Sequence, residues 1–409
     1  MNASAYRLLI AVLAGTVLAG CGKSAPLPAG SSGAPIAQVS TQGAGGLATK
    51  NTTRLGGSDP ATDAAAVARA VYPGLTVNTR PQAIVLADEH NWPAALAASA
   101  LASAPLGAPL LYSEGSTLPS VSSEALTAMH PTGAAQAGGA QVIRIGTTTA
   151  AAPAGYRTFT LEASEPAALA AEVAQLESRA RGVAPRQVIV LAEDAPPALV
   201  MPAAGLSAES GAPILLVAST GVPTATSAEL SGLHRPTIYV IGPSAVNGRV
   251  LAQLAHLGAV KPIGGGSGEE TDAVGNAIAV ARFADGAFGW GIHEPGHGLV
   301  FVNPSRPLDA PAAASLSANG DFGPLLLLDG VASAPGAGTS IPPALVGYLS
   351  DIKPAYSPQV PPVRSVYNHG WLIGDEHAIP AVTQAEIDTL LETSPRATAT
   401  EEPSLPLAE

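Results

Sequence analysis

A chain of 409 residues with a formal net charge of −12 has room for several ordinary domains or for one assembly of repeats around a sizeable core. Only 12% of the residues are charged and 4% aromatic, so the interior is filled mainly by Ala, Val, Leu and Ile in closely packed helix–sheet contacts. The four lysines, Lys23, Lys50, Lys261 and Lys353, argue against nucleic acid as a partner and against a basic membrane-binding face; an anionic partner would need a local arginine patch.

Arg7 supplies a short basic region, Leu8 to Val17 an apolar run too short to span a bilayer, and Leu18-Ala19-Gly20-Cys21 closes it. The tetrapeptide is similar to a lipobox: small residues at 19 and 20 suit a signal peptidase, and the Cys21 thiol can take a diacylglycerol as a thioether. Residues 1–20 read as a lipoprotein signal peptide, and the competing reading is an ordinary secretory signal, or a short membrane helix, with an incidental cysteine. Cys21 is the only cysteine, so no disulfide forms within the chain and no cysteine cluster holds a metal. The expectation is an extracytoplasmic protein anchored in a membrane by lipid at Cys21. Residues 21–50 are rich in Gly, Ser, Ala, Pro, Thr and Gln and read as a flexible tether, and residues 394–409 as a disordered tail.

Between them an apolar run without polar alternation recurs as Ala83 to Ala87, Val188 to Ala192 and Leu299 to Val302, the pattern of a buried parallel strand. Each run leads to a Pro-containing turn and an Ala-rich helix: Pro93 to Ser103, Ala198 to Glu209, Asp309 to Ala318. A Gly-to-Pro turn and a second strand follow at Gly107 to Leu111, Gly211 to Leu216 and Gly323 to Leu327. A proline-started helix then leads to a third strand ending in glycine at Gly146, Gly242 and Gly374. The period of about a hundred residues suits a small α/β subdomain and is too long for a solenoid. Subdomains are expected over 51–160, 161–266 and 267–393, with parallel sheets in three layers. Asp59-Pro60 reads as a helix N-cap, and Thr383-Gln384-Ala385-Glu386 as a capping box before Ile387.

The order Arg54-Leu55-Gly56-Gly57-Ser58, Asn91-Trp92-Pro93-Ala94-Ala95-Leu96, Gly-Ala-Pro-Leu-Leu, Leu-Pro and Ile-Gly resembles the cell-wall-binding repeat type 2 of bacterial surface proteins, over Arg54 to Leu391. The resemblance implies an α/β fold of three flavodoxin-like or Rossmann-like parallel-sheet subdomains around a pseudo-threefold axis. It also implies a non-catalytic module that binds a cell-wall polymer without covalent linkage. Departures fall where ligand contacts are expected. The family's Arg-Tyr-x-Thr-Ala run is replaced by Asp59 to Ala65, and its Pro-Asp-Ala survives only as Leu308-Asp309-Ala310.

His293-Glu294-Pro295-Gly296-His297 matches the H-E-x-x-H zinc pattern, but Pro and Gly inside the required helix cost about 3 and 1 kcal/mol, and a solvated turn is expected. Gly264 to Gly268 lacks the Gly-Lys-Ser/Thr ending of a phosphate loop and reads as a repeat boundary. Asp88 to Trp92 and Glu193-Asp194 lie at the carboxyl edge where open α/β sheets bind ligands, with helix capping as the competing reading. The ligand-binding candidates are Arg54, Asn91, Trp92, Asn303, Arg306 and Asp309; no catalytic residue, metal or cofactor is assigned. Three functions remain open: a lipid-tethered wall-binding module, an envelope scaffold that binds a protein, and an extracytoplasmic hydrolase or ligand receptor.

Overall fold

Strands buried on both faces must be apolar throughout, and the three sequence runs of that kind form the centre of three parallel sheets. The computed structural model describes residues 47–146, 149–265, 272–329, 340–356 and 367–395. The lipobox with Cys21, the tether up to residue 46, residues 266–271 of the glycine-rich loop and the tail from 396 lie outside the described residues.

The first repeat contains β1 (Thr52–Leu55), α1 (Pro60–Val71), β2 (Ile84–Asp88), α2 (Trp92–Ala97), β3 (Leu110–Ser113), α3 (Ser120–Met129) and β4 (Val142–Ile145). The second contains β5 (Thr158–Leu161), α4 (Pro166–Arg181), β6 (Gln187–Ala192), α5 (Pro197–Val200), α6 (Ala203–Ser210), β7 (Ile214–Val217), α7 (Thr224–Gly232), β8 (Thr237–Ile241) and α8 (Gly248–Leu257). The third contains β9 (Ala259–Ile263), α9 (Ala273–Arg282), β10 (Gly298–Val302), α10 (Asp309–Ser315), β11 (Leu325–Leu327), α11 (Pro343–Asp351), β12 (Ala355–Tyr356), β13 (His369–Ile373), α12 (Ala381–Leu391) and β14 (Ser394–Pro395).

Three four-stranded parallel sheets result, ordered β3-β2-β4-β5, β7-β6-β8-β9 and β11-β10-β13-β1. In each, the fourth strand opens the next repeat in sequence. The third sheet has no following repeat and takes β1, with Thr52 opposite Gly370 through Leu55 opposite Ile373. Strand β1 therefore falls in the third sheet, although the sequence boundaries grouped it with residues 51–160. It covers an edge of β13 that would otherwise stay open.

Helices α1, α4 and α9 each leave one sheet and pack on the outer strand of the next, β3, β7 and β11 respectively. Around the axis Ala102, Ala208 and Ala314 meet in one cluster, where small side chains let three segments approach closely. Neighbouring sheets share an orientation. At their amino ends Asn319 Nδ2 donates to Ala102 O (2.8 Å) and Arg181 Nη2 to Ser103 Oγ (2.8 Å); at their carboxyl ends Tyr112 Oη donates to Leu308 O (2.7 Å). The ring thus has a carboxyl-edge face and an amino-edge face.

Local signals account for most boundaries. Asp59 caps α1 by accepting from Thr62 N (2.9 Å), with Pro60 at the first helical position. The helix expected over Ala198 to Glu209 is split into α5 and α6 around Pro202. Helix α12 starts two residues before the expected capping box, behind Pro380, and its Gln384 is turned inward to Arg54 and Thr52.

Candidate functional site

In each sheet the strand order reverses between the first and third strands of the repeat, so a crevice opens at their carboxyl ends. Three glycines with positive φ, Gly146, Gly242 and Gly374, end the third strands and leave room there. In all three crevices the room is taken by the protein's own side chains.

In the first sheet a Cβ on Gly146 would lie 3.3 Å from Leu169, 3.4 Å from Asn91 and 3.5 Å from Ala94. Asn91 caps α2, accepting from Ala94 N at 3.2 Å, while Trp92 is half-buried against the core. In the second sheet Leu199 and Val200 lie over Gly242, and Asn276 Nδ2 donates to Leu199 O (2.8 Å).

The third crevice holds charge. Arg306 donates from Nε to Asp309 (2.8 Å), from Nη2 to Asp63, and from Nη1 to Ser58 O (3.2 Å). Asp63 also accepts from Gly57 N at 2.6 Å. Both carboxyls are buried. Burial pushes Asp63 up to about 6 against the pull of Arg306, and raises Asp309 with the help of the neighbouring Asp63 charge. The triad joins the first repeat to the third, the one junction that the chain does not cross covalently. Asp309, a ligand-binding candidate from sequence, opens α10 and belongs to this triad.

Arg54 lies beside it on β1 and is only 6% exposed. Its guanidinium donates to Gly374 O (3.0 Å), Asp375 O (2.7 Å), Ile379 O (2.7 Å) and Gln384 Oε1 (2.9 Å). The donors of this enclosed guanidinium are taken up within the fold. Asn303 is likewise turned inward, donating to Ala378 O (2.9 Å) and accepting from Ser305 N (2.9 Å). Of the candidates, Arg54, Asn303, Arg306 and Asp309 converge at the third sheet, whereas Asn91 and Trp92 stand at the first.

The acidic loops at the carboxyl edges hold their own turns. Asp88 accepts from His90 N (3.0 Å) and Gly115 N (3.4 Å), and Asp194 from Ser219 N (2.8 Å). Residues 293–297 form no helix; Gly296 has φ +112° and its N–H donates to Asn368 Oδ1 (2.8 Å), so the two histidines are not set one helical turn apart. Sequence reasoning passed over Asp63 and Gln384. The signal for Asp63 was present: it is the single acid among the buried Ala61, Ala64, Ala65, Val67 and Ala68 of α1.

No family model matches the sequence, and no curated protein matches it. Among solved structures the fold is similar to Cwp6 from Clostridium difficile, with a TM-score of 0.60 and 15% identity over 87% of this chain and 50% of that one. It is similar also to Cwp8 from Clostridium difficile, with a TM-score of 0.60 and 17% identity over 84% of this chain and 53% of that one. The chain therefore spans about half the length of each.

Proposed function

We propose that this protein is a lipid-tethered, non-catalytic module of the cell envelope that associates with a cell-wall polymer in the manner of the type 2 repeat. The observation that carries the reading is the likeness of nearly the whole chain to Cwp6 and Cwp8, which are cell wall proteins. The sequence order over Arg54 to Leu391 supports the same repeat, and Leu18-Ala19-Gly20-Cys21 supports the anchor. A non-catalytic role is supported by the three crevices: where α/β sheets of this type bind small ligands, Leu169, Leu199 and Arg306 fill the space.

A second reading, an envelope scaffold whose partner is a protein, is favoured by the two arginines that sequence singled out as polymer contacts. Arg54 and Arg306 are spent on ring closure and are not available to an anionic polymer. Fractionation of cells expressing the full chain or its Cys21→Ser variant tests the proposal. The full chain is expected in the membrane pellet, and the variant's share of that pellet is expected to fall while it stays on isolated wall fragments. Release of the variant from both fractions would favour the scaffold reading.

A further inference from the structure

The two faces of the ring differ in charge. Turns after the carboxyl ends of strands carry Asp59, Asp88, Glu89, Glu114, Glu193 and Asp194, and Asp375-Glu376 continue the series behind β13. Turns before the amino ends carry Arg80 ahead of β2, Arg157 ahead of β5, Arg186 ahead of β6 and Arg235 ahead of β8, while Arg179 lies in the last turn of α4. Arg157, Arg179, Arg186 and Arg235 are exposed, and among the described residues none of them has a carboxylate partner. Helix dipoles explain a base at the end of α4, but not Arg157 or Arg186, which precede strands. Of the acids of this face, Asp351 pairs with Arg282 (2.6 Å), Glu392 with Lys50 (2.7 Å) and Asp285 with Lys261; Asp388 accepts from Asn51 N (2.7 Å), Asp321 and Glu209 are half-buried, and Glu294 is exposed. The low lysine count argued against a basic face; segregated arginines supply one.

Among the described residues, the same face carries most of the exposed large apolar side chains. Leu75 (83% exposed) and Val77 precede β2, Val183 precedes β6, Phe322 (60%) precedes β11 and Tyr367 precedes β13. All three sheets are represented. Leu47, beside β1, and Val382, in the first turn of α12, are the exceptions.

Backbone strain is concentrated here as well. Among the described residues, the non-glycine positions with positive φ are His130 (49°), His234 (57°), Arg235 (63°) and Phe322 (55°), each in a turn that leads into a strand at its amino end. A left-handed residue other than glycine costs roughly 1–2 kcal/mol, and the side chains held out at this cost are bases and a phenyl ring. Bases separated along a rim and apolar tips spread over three subdomains can be met together only by an extended, nearly flat partner. A polymer strand threading a groove would touch one subdomain at a time.

We infer that the amino-edge face rests on an anionic lipid surface, with Arg157, Arg186 and Arg235 on headgroup phosphates and Leu75, Phe322 and Tyr367 among the upper acyl carbons. Arginine neutralises phosphate while the neighbouring apolar groups leave water, the combination that holds interfacial proteins on membranes. The carboxyl-edge face then points away from the membrane. This inference goes beyond the wall-associated reading and takes from it only the envelope location.

The test uses the full chain with Cys21→Ser and one new cysteine, Phe322→Cys or Val382→Cys, labelled with a polarity-sensitive dye. Vesicles of phosphatidylcholine with or without phosphatidylglycerol are added, and soluble polyglycerol phosphate in a separate arm. The expected result is a blue shift and protection from an aqueous quencher at 322 but not at 382, dependent on phosphatidylglycerol. Adding Arg186→Gln and Arg235→Gln is expected to weaken vesicle binding about thirty-fold, or about 2 kcal/mol for two arginines near an anionic surface. Equal responses at the two positions, no response at 322 on anionic vesicles, or a response to the soluble polymer alone would overturn the inference. Wall binding is measured without lipid, so its failure is read separately.

Discussion

Arg54→Ala should open the ring at its one non-covalent junction. The guanidinium is almost wholly enclosed and donates to three backbone carbonyls and Gln384. Hydrogen bonds from a charged donor contribute about 1.5–3 kcal/mol each, but the substitution also removes the cost of burying the cation and admits some water, so their sum overstates the loss. A net loss of about 3–5 kcal/mol is expected, because Gly374 O, Asp375 O, Ile379 O and Gln384 Oε1 lose a charged donor together. Strand β1 has only four residues, so the loss should appear locally before it appears globally. Hydrogen exchange at Thr52–Leu55 and His369–Ile373 should speed up by about two orders of magnitude or more, from about 1.4 kcal/mol per decade, while β6 and β7 stay protected. Urea unfolding supplies the global number. Arg54→Lys keeps the charge without the planar fork and should recover only part of the loss. A loss below about 1 kcal/mol, or exchange that rises evenly in all three sheets, would refute the reasoning.

In the buried triad, Arg306→Ala leaves two carboxyls without their cation and should cost about 3–5 kcal/mol, whereas Asp63→Asn removes a charge that burial already disfavours and should cost under about 1 kcal/mol at neutral pH; urea titrations of both decide this. Glu177 in α4 is buried, which lifts it from 4.5 to about 7 against the pull of Arg181. The folded chain therefore holds a proton that the unfolded chain releases, so this contribution is complete below pH 4.5 and is lost as pH rises through 7. Comparing Tm across that window, Glu177→Gln should flatten the decline seen in the parent; parallel curves would contradict the assignment. Gly242→Ala places a methyl 2.9 Å from Leu199 at φ +64° and should cost about 2–3 kcal/mol, against about 1 kcal/mol for Gly115→Ala, which has φ +53° and nothing within 4 Å; thermal melts separate the two.

Much of the fold was legible because burial on both faces leaves a plain trace. Runs such as Val188 to Ala192 cannot be anything but apolar in a covered parallel sheet, and Pro and Gly punctuated them at each repeat. The threefold period followed from their order. What the sequence did not disclose was the exchange of edge strands. Thr52 to Leu55 carries no mark of its partner, since pairing with Gly370 to Ile373 is a contact across more than three hundred residues. The candidate site was legible as a set of residues and not as a set of roles. Arg54, Arg306 and Asp309 were singled out as candidate contacts to a polymer; the burial of Arg54 depends on β1 docking beside β13 and α12, and the pairing of Arg306 and Asp309 with Asp63 on α1 docking against α10, which only tertiary packing fixes. The basic rim was missed for a related reason. Its arginines are scattered singly through the sequence, one before each of several strands, and become a surface only when three parallel sheets point the same way.

Co-sedimentation of the full chain carrying Cys21→Ser with purified cell walls, before and after their secondary polymers are removed and across a salt series, tests the wall-associated reading most directly. Pelleting that disappears with the polymer is the expected result. Failure to pellet on intact walls at low salt would contradict it and leave the scaffold reading in its place.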